Sequence, residues 1–109
     1  MQKMVRLDCE FESLQQGALS HADFRALWED KILDMEDAQM DLPTEQTLYR
    51  KYMCKRNPEI RTRVLSKDWK IDGEGYPVRA PKTHQEVARA VSLLLEERAH
   101  IHATGTTGF

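Results

Sequence analysis

Met4, Leu7, Phe11 and Leu14 recur at intervals of three and four residues, which sets them on one face of a helix. Gly17 can take the left-handed conformation past the end of that helix. Ser20 is a good N-cap, and Asp23 favours the helix start that follows. Phe24, Leu27, Trp28, Ile32 and Met35 then mark the inner face of a second helix running to about Ala38. Gln39–Pro43 reads as a turn, and a third helix starts near Pro43 with the apolar stripe Leu48, Tyr49, Tyr52 and Met53. Asn57-Pro58 stops that helix and opens a short fourth one: asparagine is a good N-cap and proline a good first helical residue. Ile60, Val64 and Leu65 mark its buried side.

The stretch Asp72–Pro81, DGEGYPVRAP, is a loop with room for a brief turn or hairpin. Thr83 and Glu86 form a capping box, and Val87, Ala90, Val91, Leu94 and Leu95 supply the apolar face of a last helix ending near His100. The pattern predicts an all-α fold, a compact bundle of about five helices around one core. The bundle spans residues 1–102, and a Gly/Thr-rich flexible tail or linker occupies 103–109.

At 109 residues, with 40% hydrophobic and 31% charged, the chain suits one globular domain. The formal charge of −2 excludes a strongly basic nucleic-acid binder, but its distribution is uneven. Glu29–Glu45 holds seven acidic residues and one basic, whereas Arg50–Lys70 holds eight basic and two acidic. Cys9 and Cys54 stand alone without zinc-ligand spacing, which suits a reducing compartment and a cytoplasmic protein. No apolar run approaches the ~18 residues of a membrane span, so no membrane partner is expected.

No catalytic, cofactor or metal constellation emerges, and the expectation is a protein that is not an enzyme. His21, His84, His100 and His102 read as solvent-exposed or capping histidines. Asp34, Glu36, Asp37 and Asp41 lack the glycine and ligand alternation of a calcium loop and read as a solvated helix end. Gly73 and Gly75 precede no phosphate-loop lysine. The candidate nucleic-acid contacts are Arg50, Lys51, Lys55, Arg56, Arg61, Arg63 and Lys67. A solvated basic face is the plainer alternative, and a surface that meets the acidic segment of a neighbour is a third.

Three places taken together resemble the Gag capsid domain of gypsy-like long-terminal-repeat retrotransposons. Leu14-Gln15-Gln16-Gly17-Ala18-Leu19-Ser20, with Asp23-Phe24 and Trp28, is similar to the family's L-x-Q-G-x-x-S-x-x-[DE]-[YF]-x-x-x-[FW] stretch, akin to the retroviral major homology region. Asn57-Pro58-Glu59-Ile60-Arg61 resembles the x-P-E-I-R that opens a later helix, and the Thr83–Glu86 box resembles the start of the family's final amphipathic helix. The chain departs from the pattern at Lys55-Arg56-Asn57, where the family often has Gly-Leu before the proline, and in the longer loop at Asp72–Pro81. The sequence shows no N-terminal lobe and no zinc knuckle, so the expectation is a fragment or a domesticated remnant of such a protein.

The resemblance implies the helical C-terminal lobe of a capsid. Its expected function is non-enzymatic self-association, contributing to dimerisation and shell assembly, with RNA as a weak second partner. The alternatives are a helical adaptor that binds another protein and a nucleic-acid-binding domain using Arg50–Lys70. The structural motif would be Gln16, Gly17, Ser20, Phe24, Trp28, Pro58, Glu59, Ile60 and Arg61, with Gln16 able to satisfy backbone groups left open at helix ends. Leu48, Tyr49, Tyr52 and Met53 make a stripe wider than a short helix needs for its core. Aromatic and Met residues are typical of interface centres, and in the family a helix at about this place joins dimer contacts; the stripe is the expected interface.

Overall fold

A computed structural model describes the backbone of residues 3–103 and the side chains of residues 3–99. Its helices are α1 (Lys3–Ser13), α2 (His21–Asp37), α3 (Glu45–Lys55), α4 (Pro58–Leu65) and α5 (His84–Ala103). The fold is all-α, a compact five-helix bundle, as the apolar spacing predicts. α1 pairs with α2, and α5 lies against α2, α3 and α4. Most of the expected tail, residues 104–109, and the side chains of His100 and His102 fall outside the described residues.

The helix ends follow local chemistry. Ser20 caps α2 by accepting the Asp23 N–H at 3.1 Å. α2 stops in a Schellman arrangement: the Met40 N–H reaches the Met35 carbonyl and the Gln39 N–H reaches that of Glu36. Gln39 occupies the left-handed position there at φ 60°, where glycine is more usual. α3 begins two residues later than Pro43 suggests, because Thr44 accepts the Thr47 N–H and is the N-cap. Thr83 caps α5 through the Glu86 N–H at 3.1 Å, but the Glu86 carboxylate reaches back to the Lys82 N–H at 2.8 Å, one residue before the usual box partner. α5 continues to Ala103.

The core gathers Leu7 and Phe11 from α1, Phe24, Trp28 and Met35 from α2, and Leu48, Tyr52 and Met53 from α3. Val64 from α4 and Val87, Ala88, Ala90, Val91 and Leu94 from α5 complete it, with Trp69 from the following loop. Two residues expected inside are outside. Leu27 is 39% exposed, because Phe24, Trp28 and Met35 define the inner line of α2 and Leu27 sits on its edge. Leu65 is 59% exposed: Ile60 and Val64, four apart, already face inward, and the next residue turns away. Met4, at the start of α1, is also exposed.

The Asp72–Pro81 loop is closed at its base by Trp69 and Arg79, whose backbones exchange two hydrogen bonds of 2.9 Å. Trp69 is buried and donates its indole N–H to the Val64 carbonyl at 2.9 Å. Arg79 holds Asp72 and Glu86 at once, tying the loop to the first turn of α5. Neither Trp69 nor Arg79 carries a periodic signal, since each acts through a contact across the loop.

Trp28 is 1% exposed and touches aromatic rings from three other elements, so truncating it opens a large cavity in a small domain. Trp28→Ala is expected to cost about 3–5 kcal/mol, read as loss of the cooperative melting transition or a large fall in its midpoint. An unchanged melting curve would contradict this packing.

Candidate functional site

Three regions carry the side chains to which the sequence points: a polar joint between the motif segments, a buried cationic cluster and an acid-rimmed groove.

The joint centres on Gln16, which is buried. Its Oε1 accepts the Asn57 N–H at 3.1 Å, and its Nε2 donates to the Leu19 carbonyl at 3.3 Å. Its own N–H donates to the Lys55 carbonyl at 3.0 Å. Asn57 does not cap α4 with its side chain; its Nδ2 donates instead to the Gly17 carbonyl at 3.0 Å. Gly17 holds φ 52°, which aims that carbonyl. Pro58 supplies the first helical residue of α4, Glu59 pairs with Arg98 of α5, and Arg61 donates to the Cys54 carbonyl near the end of α3. Two motifs 41 residues apart thus meet at one hydrogen-bonded corner.

The cationic cluster lies beside it. Arg56 is 2% exposed and lies within 4.7 Å of the Phe24 ring and 4.6 Å of the Tyr52 ring. Its Nη2 donates to the Tyr52 hydroxyl, while its Nε and Nη1 have no protein acceptor. Burial pushes the Arg56 pKa down and the Tyr52 hydroxyl up. Arginine nonetheless stays charged in proteins, so the aromatic faces carry much of its stabilisation. His21 is half-buried, with Nε2 3.0 Å from Ser92 Oγ of α5. The Ser92 proton goes to the Ala88 carbonyl, so His21 is the donor, which leaves its buried Nδ1 bare. Burial, then the charges of Arg56 and Arg25, push the His21 pKa down to about 4.

His84 is also buried and accepts the Trp28 indole N–H on Nδ1 at 3.0 Å. That bond fixes the tautomer and aims Nε2 at Glu45 Oε2, 3.7 Å away. Burial lowers its pKa despite the nearby carboxylates of Glu45 and Glu29. His21 and His84 are therefore packed side chains that link helices, against the expectation of exposed or capping histidines. Helical spacing hides this, because their partners lie 71 and 56 residues away.

The basic segment is dismantled as one binding face. Lys55 and Arg56 are buried. Lys55 donates to the Glu12 carbonyl at 2.7 Å, and Arg61 is used on Cys54. Lys51 pairs with Glu12, and Lys67 pairs with Glu97 while lying over the Trp69 ring. Of the seven expected phosphate contacts, Arg50 and Arg63 remain as exposed side chains without an ion pair among the described residues. The expected interface stripe is corrected in the same way. Leu48, Tyr52 and Met53 are core, and Tyr49 is half-buried, because α3 packs against α5 and α4 while Tyr52 also meets Phe24 and Trp28 of α2.

The groove is formed by α2, the turn after it and the start of α3. It has a volume of about 470 Å³ and is lined by Ile32, Leu33, Leu42 and Leu48, with Glu29, Glu36 and Glu45 as its charged residues and His84 and Gln85 from the start of α5. Leu33 is 55% exposed and Leu42 36%. A larger hollow of about 670 Å³ beside α5 mixes charges of both signs, including Lys67, Lys70, Glu96 and Glu97, around Trp69, Val78 and Leu93. Among the described residues, Asp34, Glu36, Asp37 and Asp41 are not gathered into a metal-ligand group.

The chain finds no match among models of protein families, among curated proteins or among solved structures. No helix among the described residues is long and apolar enough to cross a membrane.

Two outcomes check this site. Gln16→Ala leaves the Asn57 N–H and the Leu19 carbonyl without their partner, so a loss of about 1–3 kcal/mol is expected in urea unfolding. A variant as stable as the parent would remove the joint from the fold's essential bonds. The second outcome concerns pH. His21 and His84 have folded pKa values below the ordinary 6.5, so the unfolded chain takes up protons first. Their contribution is complete above pH 6.5 and is lost as the pH falls below it, for His21 toward about 4. Glu86, held down to about 2 by Arg79, adds a further loss below its ordinary 4.5. Melting temperature should fall steadily from pH 7 to pH 4, and His21→Asn should flatten that slope. A flat profile in the parent protein would contradict the assignment.

Proposed function

We propose that this chain is a non-enzymatic association module of the Gag capsid type, whose copies meet one another. The observation that carries the reading is the corner between Gln16-Gly17 and Asn57. The two segments that resemble the capsid family are far apart in sequence, and they bond to one another as the architectural core of a single domain. In such a module these residues shape the lobe and perform no chemistry. Exposed apolar side chains outside the core, Met4 and Val5 on α1 and Leu65 on α4, offer contact area between copies.

A nucleic-acid-binding reading is less well supported, because the basic segment spends most of its cations inside the fold. The adaptor reading keeps support from the acid-rimmed groove, which is an exposed apolar surface with a defined charge.

Light scattering over a concentration series tests the proposal: apparent mass is expected to rise with concentration, with the helical circular dichroism unchanged. A monomer at every concentration would refute it. Met53→Asp is expected to unfold the chain instead of splitting an assembly, because that side chain is core. A folded Met53→Asp monomer would restore the α3 stripe as the interface.

A further inference from the structure

We propose that the groove between α2, the 39–43 turn and α3 docks an amphipathic basic segment of a separate protein, with an apolar side chain seated on Leu33 and Leu42 and lysines or arginines facing the rim. The apolar part is real surface: Leu33 and Leu42 are exposed above the half-buried Ile32 and the buried Leu48. Burying such side chains on binding is favourable in proportion to the area covered. The polar part has one sign. Glu29, Glu36 and Glu45 edge the groove, and Asp30, Asp34, Asp37 and Asp41 follow on the same segment. Among the described residues, Glu36 and these four aspartates form no ion pair. A nucleic acid or an anionic lipid surface would be repelled there.

The charge balance also chooses between a separate partner and a second copy. A second copy would have to supply exposed cations: outside Arg50–Lys70, those without an ion pair among the described residues are Lys3 on α1, Lys82 before α5 and Arg89 on α5, and within that run most are engaged. Lys55 and Arg56 are buried there, Arg61 is held by Cys54, and Lys51, Lys67 and Lys70 are paired within the chain. The cations left over, Lys3, Arg50, Arg63, Lys82 and Arg89, fall one each on α1, α3, α4, the loop before α5 and α5, so no segment of a second copy offers the run of cations that the acidic segment calls for. A basic segment of another protein answers it without breaking those bonds.

The test uses the full chain and a fluorescent Leu/Lys peptide with its leucines on one helical face, beside a scrambled peptide of the same composition. Anisotropy should show the patterned peptide binding more tightly than the scrambled one. Leu33→Ser and Leu42→Ser, both on exposed positions, should each weaken binding about tenfold, the size expected for losing a buried leucine contact. Glu36→Gln should weaken it less, and the difference from the parent should shrink as salt is added. Tyr76→Ser, on the exposed tip of the Asp72–Pro81 loop, should leave it unchanged. Equal binding of the two peptides, no binding by the parent chain, or parental affinity in both leucine variants would overturn the proposal. So would a fall in scattering mass for Leu33→Ser without peptide, which would mean that a second copy covers the groove.

Discussion

The fold depends on where Trp28 sits. Its ring centroid is 4.8 Å from Phe11 of α1 and 4.8 Å from Tyr52 of α3, and its N–H donates to His84 at the start of α5. One side chain of α2 therefore fixes the positions of three other helices. The hydrogen bond matters as much as the area. An indole N–H buried without an acceptor costs free energy comparable to the bond it lacks, so α5 has to begin where His84 can reach it. Glu45 then accepts the His84 backbone N–H at 2.9 Å, which ties the start of α5 to the start of α3. Packing and polar satisfaction impose the same arrangement, as expected of a sequence that specifies one structure.

A second constraint is the charge that the core encloses. Arg56 lies among Phe24, Tyr52 and His21 with no carboxylate bonded to it. A buried cation without an anion is costly unless other groups replace its hydration. Here the replacement is two aromatic faces and one phenolic oxygen. The same environment keeps His21 neutral near pH 7, since a second positive charge there would add repulsion to burial. The N-terminal part of α2 is thus held to the end of α3 by the charged Arg56 over Phe24 and to α5 by the neutral His21, beside the Gln16 corner. None of these groups would be stable alone at its depth.

Apolar periodicity and cap residues made the five helices legible in the sequence, because both are local properties of the chain. The errors fall where long-range contact decides. Leu27 and Leu65 satisfy helical spacing yet lie at the edge of the buried arc, and a short helix has no surplus turns with which to signal that. Tyr52 and Met53 read as interface residues because their stripe is wider than a short helix needs, but α3 has neighbours in α5, α4 and the aromatic side chains of α2, which together bury it. Trp69 and Arg79 went unmarked, since they organise a loop through a cross-chain pair. Gln16 was legible as a residue that satisfies backbone groups at helix ends. That its acceptor oxygen would serve Asn57 was not, because nothing local connects residues 41 apart.

The net charge of −2 conceals a sorting of charges by depth. Cations in Arg50–Lys70 carry out internal work: stacking on rings, capping carbonyls and closing ion pairs between elements. Carboxylates in Glu29–Glu45 mostly project from the outer side of α2 and the turn after it. Long cationic side chains can cover apolar surface with their stems and still place a head group on a partner, whereas short aspartates cannot. Arginine also keeps its charge and its planar donors when removed from water. Basic residues were therefore the ones that the core could use, and acidic residues were left outside. The field that another molecule meets is set by what remains at the surface, so a chain nearly neutral in sum presents a distinctly acidic face beside exposed leucines.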